Sequence, residues 1–118
     1  MRLLFLALAL PGIALAEPAP TDPLVKQGEA LYTRQVCSAC HSIDGSPRAA
    51  PTLKGLWGKK QKLKDGSSVL VDAAYVKRSL LEPGAQVVEG FQPGMPSYQL
   101  RLKPEEIDAL VAFVKSLK

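Results

Sequence analysis

The chain has 118 residues, 47% of them hydrophobic and only 6% aromatic, and its 15 basic and 11 acidic side chains leave a formal charge of +4. That length allows one small domain, which buries too little surface to be generously stable and often gains from a staple or a cofactor. The basic excess includes no stripe of Lys and Arg interleaved with aromatics, which excludes a nucleic-acid surface of the usual kind.

The first 16 residues, MRLLFLALALPGIALA, put one charge (Arg2) before an apolar run from Leu3 to Leu10 and end on small residues two apart, Ala14 and Ala16. This is the layout of a secretory signal peptide with cleavage after Ala16. The run is short of the roughly 20 residues that span a bilayer. A retained signal anchor is the rival reading, and cleavage is favoured because the chain turns polar and Pro-rich directly afterwards. No cysteine sits at the cleavage point, so a lipoprotein is not suggested. Loss of Arg2 lowers the charge from +4 to +3.

Residues 17–21 form a Pro-rich lead-in, and 22–118 are expected to be the folded domain. Asp22-Pro23 reads as an N-cap followed by Pro at the first helical position. It starts a helix over about 23–35, with Leu24, Gly28, Leu31 and Tyr32 on one face. Residues 42–59 are punctuated by Gly and Pro and read as irregular. Asp65-Gly66 lies between two short runs, 61–64 and 67–71, where either a small hairpin or an open loop fits. The nearby basic run from Lys59 to Lys64 reads as a solvated loop, a docking site being the alternative. Asp72 caps a second helix whose Tyr75, Val76 and Leu80 face inward and which Pro83 ends. After a second loop, Gly84–Leu100, Pro104 opens the last helix. Acidic Glu105, Glu106 and Asp108 sit near its positive end, Lys115 and Lys118 near its negative end, and Ile107, Leu110, Val111, Val114 and Leu117 form its apolar stripe. The expected class is mostly α, with three helices and long loops.

Both cysteines and the only histidine fall within Cys37-Ser38-Ala39-Cys40-His41. Structural zinc takes four ligands, so it would have to recruit a carboxylate. A thioredoxin-like pair expects a βαβ setting, and no strand precedes Cys37. A disulfide here would close a very short loop with little entropy to gain, and it leaves His41 unexplained. What remains is C-x-x-C-H, the attachment signature of c-type haem. Two thiols three residues apart on one helical turn can reach the two vinyl groups on one porphyrin edge, and the next residue supplies an imidazole to the iron. Attachment of this kind occurs outside the bacterial cytoplasm, which suits the export signal. The sixth ligand cannot be a second histidine. Met95, the only methionine beyond the signal, lies in the stiff loop Gln92-Pro93-Gly94-Met95-Pro96 rather than on an apolar helical stripe.

Four motifs together resemble a class I monohaem cytochrome c: Gly28-x-x-Leu31-Tyr32, Cys37–His41, Pro51-Thr52-Leu53-x-Gly55-Leu56-x-Gly58 and Met95-Pro96. The likeness covers about 22–118. Asp65–Ser67, Pro83–Gly90, Phe91 and Met95-Pro96 follow one another as in the cytochrome c domain fused to subunit II of bacterial haem–copper oxidases. The copper domain and two membrane helices of such a subunit are not in this sequence. The resemblance implies a cytochrome c fold of three main helices around one covalent haem c, with iron ligated by His41 and Met95. It implies that Pro51 lies by His41 and its neighbourhood accepts the imidazole N–H, that Leu53 lines the haem, and that Lys59 pairs with a propionate, a solvated lysine being the alternative. Trp57 is expected near the haem edge. Gly28 and Tyr32 are expected to meet Leu110 and Phe113 where the first and last helices cross. Ala50 stands where Gly is usual, and Lys103 where a Ser or Thr cap would be.

The implied function is single-electron transport in the periplasm between redox-partner proteins, with no nucleic acid and no membrane span in the mature chain. A terminal oxidase and a periplasmic dehydrogenase are the candidate partners. The alternatives are a permanently bound electron-transfer subunit and a small-ligand sensor or enzyme in which Met95 leaves the iron. No distal His or Arg is evident for acid–base work.

Overall fold

The computed structural model describes residues 11–13 and 22–118. The signal peptide, its cleavage site and the lead-in fall almost wholly outside them. Three helices form the domain: α1 (Pro23–Arg34), α2 (Ala73–Leu81) and α3 (Pro104–Ser116). The C-x-x-C-H segment opens with a 3-10 turn, Cys37–Ala39, and a second such turn, Pro83–Ala85, follows α2.

Local chemistry accounts for the helix ends. The Asp22 carboxylate accepts from the Leu24 N–H at 2.8 Å and the Asp72 carboxylate from the Tyr75 N–H at 2.9 Å, each satisfying a donor with no partner inside the helix. Lys103 gives α3 no side-chain acceptor. Instead Glu106 reaches back to the Lys103 N–H at 3.0 Å, the other half of a capping box. The same carboxylate meets Arg34 at 3.2 Å and ties the end of α1 to the start of α3.

Strands β1 (Lys60–Lys62) and β2 (Ser68–Leu70) form an antiparallel hairpin in which Gln61 opposes Val69. Gly66 turns it at φ 88°, and Asp65 accepts from both the N–H and the hydroxyl of Ser67. The hairpin is therefore formed, and an isolated bridge from Leu63 to Val88 joins it to the loop beyond α2.

The centre of the fold is the crossing of α1 and α3. A Cβ on Gly28 would lie 2.1 Å from the Ala109 carbonyl oxygen and 2.6 Å from the Phe113 Cβ. Only a residue without a side chain permits that approach. The Tyr32 and Phe113 rings, 5.5 Å apart, continue the contact. The neighbours of Gly28 are thus Ala109 and Phe113, with Leu110 buried in the same core. Val25, not Leu24, completes the buried face of α1; Leu24 is 42% exposed. With the crossing centred on Gly28, the inward positions are three before it and three and four after it, and Leu24 lies at the edge of that face.

Candidate functional site

The three helices and the two long loops enclose a cavity of about 370 Å³ whose lining is mostly apolar. Cys37, Cys40, His41, Pro51, Leu53 and Met95 all line it. Residues separated by up to 58 positions in sequence thus come to one space, which side chains of α1, α2 and α3 also line.

The C-x-x-C-H segment is positioned by its own backbone. Val36 adopts a left-handed conformation, φ 59° and ψ 28°, and turns the chain sharply out of α1. The N–H groups of Cys40 and His41 then both return to the Cys37 carbonyl, at 3.2 and 2.9 Å. Arg48 donates to the Ser38 carbonyl and closes the outer side of the turn. Neither cysteine is in a disulfide; Cys37 is half-buried and Cys40 exposed. Burial pushes the Cys37 thiol above its ordinary pKa, opposed by hydrogen bonds from its own backbone and from Tyr98.

His41 is fixed from two directions. Its Nδ1 lies 2.7 Å from the Pro51 carbonyl oxygen. A carbonyl can only accept, so Nδ1 carries the proton and Nε2 keeps its lone pair for a metal. Burial lowers the His41 pKa, with the Pro51 hydrogen bond opposing, so the neutral ring is favoured. The Tyr32 hydroxyl donates to the His41 main-chain carbonyl. Pro51 reaches this place because the loop doubles back: Ala50 N–H donates to the Cys40 carbonyl at 3.1 Å and Leu53 N–H to the Ser42 carbonyl at 2.8 Å. Ser42, only 1% exposed, locks the two arms through Thr52 at 2.8 Å.

The Met95 arm is built differently. Its flanks are tied down by Lys64 N–H to the Val87 carbonyl, Glu89 N–H to the Lys62 carbonyl and Tyr98 N–H to the Leu80 carbonyl, at 2.9, 2.9 and 2.8 Å. Ser97 adds a hydroxyl bond to the Leu81 carbonyl at 2.7 Å. Met95 between them is partly buried and packs on the core.

The donor set suits a haem: two thiols and an imidazole on one short turn, a thioether elsewhere on the lining, and walls that are mostly apolar. Lys59 is not on the lining; it is exposed, its N–H bonded to the Leu56 carbonyl. Trp57 is also absent from the lining and packs half-buried, with the Lys115 ammonium 5.6 Å from its ring centre. Sequence reasoning missed the Ser42–Thr52 lock and Arg48. A Ser followed ten residues on by Thr has no local signature, so nothing in the pattern marks the lock.

Comparison with known proteins agrees with this architecture. A family profile described as cytochrome c matches residues 25–118. Cytochrome c-551 of Stutzerimonas stutzeri is 32% identical over 117 residues, covering 99% of this chain and 98% of that one. Cytochrome c oxidase subunit 2 of Alkalihalophilus pseudofirmus is 26% identical over 111 residues; the match spans 91% of this chain but only 30% of the subunit. Among solved structures, cytochrome cH from Methylobacterium extorquens superposes with a TM-score of 0.50 at 25% identity, covering 77% of this chain and 96% of that one.

Proposed function

The chain belongs to the cytochrome c family, and from that premise we propose that it is an exported carrier of single electrons whose iron is held between His41 and Met95. Its cofactor is a covalently attached haem c with iron, and it is an electron carrier rather than an enzyme. The observation that supports the ligand set is that His41 and Met95 line one cavity together with Cys37 and Cys40.

When bound, the haem supplies a reversible one-electron change at its iron. Cys37 and Cys40 give the two thioether sulfurs. Pro51 holds the His41 ring with Nε2 available, so this ligand cannot rotate away. Met95 offers a neutral thioether, which favours Fe(II) over Fe(III) and raises the potential. Leu53 and the apolar walls exclude water, and fixed ligands in a dry site keep reorganisation small. Cys40, exposed at the thioether edge, marks the side through which a partner protein exchanges the electron.

Residues 1–16 serve as the export signal, and the periplasm is the site of action. Among the described residues no helix is long and apolar enough to cross a membrane. The donor and acceptor are redox proteins. The likeness to an oxidase subunit favours a haem–copper oxidase as acceptor, and a periplasmic dehydrogenase remains the candidate donor.

The test combines two measurements on protein matured in the periplasm. Acid–acetone extraction should leave the haem attached, and Cys37→Ala or Cys40→Ala should sharply reduce the yield of holoprotein. Met95→Ala should keep the haem attached, lower the midpoint potential and abolish the weak near-infrared band expected of a methionine ligand. Rapid carbon monoxide binding by the parent protein near neutral pH would overturn the His41–Met95 assignment.

A further inference from the structure

The backbone around Met95 does little to hold itself. Among the described residues, the N–H groups of Gly94, Met95 and Ser97 find no acceptor, and prolines occupy positions 93 and 96. Tyr98 is the first residue beyond Met95 whose main-chain N–H is bonded, to the Leu80 carbonyl at 2.8 Å. Its own carbonyl accepts from the N–H groups of Arg101 and Leu102, both at 3.1 Å. Its side chain is only 4% exposed, lines the haem cavity and donates its hydroxyl to the Gln35 carbonyl at 3.4 Å. Gln35 closes α1 and stands one residue before Val36, whose left-handed backbone turns the chain into Cys37. The hydroxyl also meets the Cys37 side chain in a hydrogen bond. Tyr98 therefore connects the Met95 arm to the start of the C-x-x-C-H segment, 63 positions away from it in sequence.

The hydroxyl is the informative atom. A ring that only filled the core needs no oxygen, and a buried hydroxyl costs stability unless it is bonded. In the free thiol, Cys37 can donate to the Tyr98 oxygen while the Tyr98 O–H serves the Gln35 carbonyl. A thioether sulfur has no proton to give and accepts only weakly, so the Gln35 carbonyl keeps the hydroxyl once haem is attached. We propose that Tyr98 is a positioning residue for the electron-carrying site. Its hydroxyl ties the loop that carries Met95 to the turn that carries Cys37, and this tie keeps the Met95 sulfur on the iron. The inference rests on the reading above, in which His41 and Met95 hold the iron.

The test is Tyr98→Phe, which removes the oxygen and keeps the ring and the main-chain bonds. In the reduced holoprotein, carbon monoxide reaches the iron only when Met95 leaves, so its binding rate reads how often the loop opens. Tyr98→Phe should bind it about fivefold faster, the population shift that one net hydrogen bond supplies. The methionine band should weaken while the haem stays covalently attached. Ser116→Ala is the control. It removes a hydroxyl bond of the same kind, 2.6 Å to the Phe113 carbonyl, from a residue outside the cavity lining. It should lower the denaturant midpoint and leave carbon monoxide binding unchanged. Equal acceleration in both variants would mean that general loosening frees Met95, and would overturn the proposal. A Tyr98→Phe protein with the parent's binding rate and an unaltered band would overturn it too. Should Tyr98→Phe fail to mature, nuclear magnetic resonance of the parent decides. The Tyr98 hydroxyl proton should exchange slowly with water and show through-space contact with the Cys37 β-protons, and a fast-exchanging proton without that contact would overturn the tie. A parent that lacks the methionine band, or already binds carbon monoxide rapidly, would instead overturn the ligand assignment on which the inference rests.

Discussion

The α1–α3 crossing and the loop carrying Met95 both face the haem cavity, yet they are held by opposite means. At the crossing, backbone meets backbone through Gly28, with Ala109 fully buried and Phe113 4% exposed. The loop is anchored only at its flanks. Among the described residues, the N–H groups of Gln92, Gly94, Met95 and Ser97 find no acceptor. Dense packing makes the crossing intolerant of volume, whereas the geometry of the loop depends on its end contacts and on whatever occupies the cavity.

The steepest test of this contrast is Gly28→Ala. A single methyl group would sit 2.1 Å from a main-chain oxygen, which no flexible side chain can yield. We expect a loss of roughly 3 kcal/mol or more in denaturant unfolding, and Gly28→Leu should be worse. An unchanged midpoint would mean that the helices do not meet there. Ser97→Ala breaks the loop's hydroxyl tie to Leu81. It should cost only about 1 kcal/mol, while measurably weakening the methionine band and speeding carbon monoxide binding to the reduced protein. A large stability loss with no spectroscopic change would erase the distinction between the two regions.

Smaller effects sharpen it further. Val36 is β-branched, holds φ 59° and is 63% exposed. Left-handed backbone of this kind costs a branched residue about 1–2 kcal/mol, so Val36→Asn should raise stability by up to about 1 kcal/mol in the same unfolding measurement. The smallest effect belongs to Asp65 in the hairpin turn. Hydrogen bonds from the Ser67 hydroxyl, then from its N–H, hold the Asp65 carboxyl below its usual pKa. A depressed acid contributes its stability fully above its unfolded pKa, near pH 4, and loses it as pH falls through the folded value. Asp65→Ala should therefore be slightly less stable than the parent at neutral pH, and the gap should close in acid.

Much of the candidate site was legible in the chain because its signals are local. C-x-x-C-H marks attachment because the spacing is set by covalent reach across one porphyrin edge. Asp22, Asp72 and Pro104 mark helix starts because a cap acts within three residues, and Asp65-Gly66 marks a turn because its backbone demands it. The small-residue contact at Gly28 was also foreseen, from family resemblance rather than from spacing. What the tertiary structure alone decided are destinations set by distant segments. Val25 rather than Leu24 faces inward because the crossing point on α3 chooses the face. Lys59 is exposed and outside the cavity lining, and the Lys115 ammonium lies over the Trp57 ring, since each position depends on how a long loop is laid against the helices. The lock between Ser42 and Thr52, and the unpartnered Gln86 Oε1 on the cavity wall, are likewise invisible in one dimension. Whether a buried polar atom has a partner depends on the whole surrounding surface, and a sequence pattern reports only what lies within a few residues along the chain.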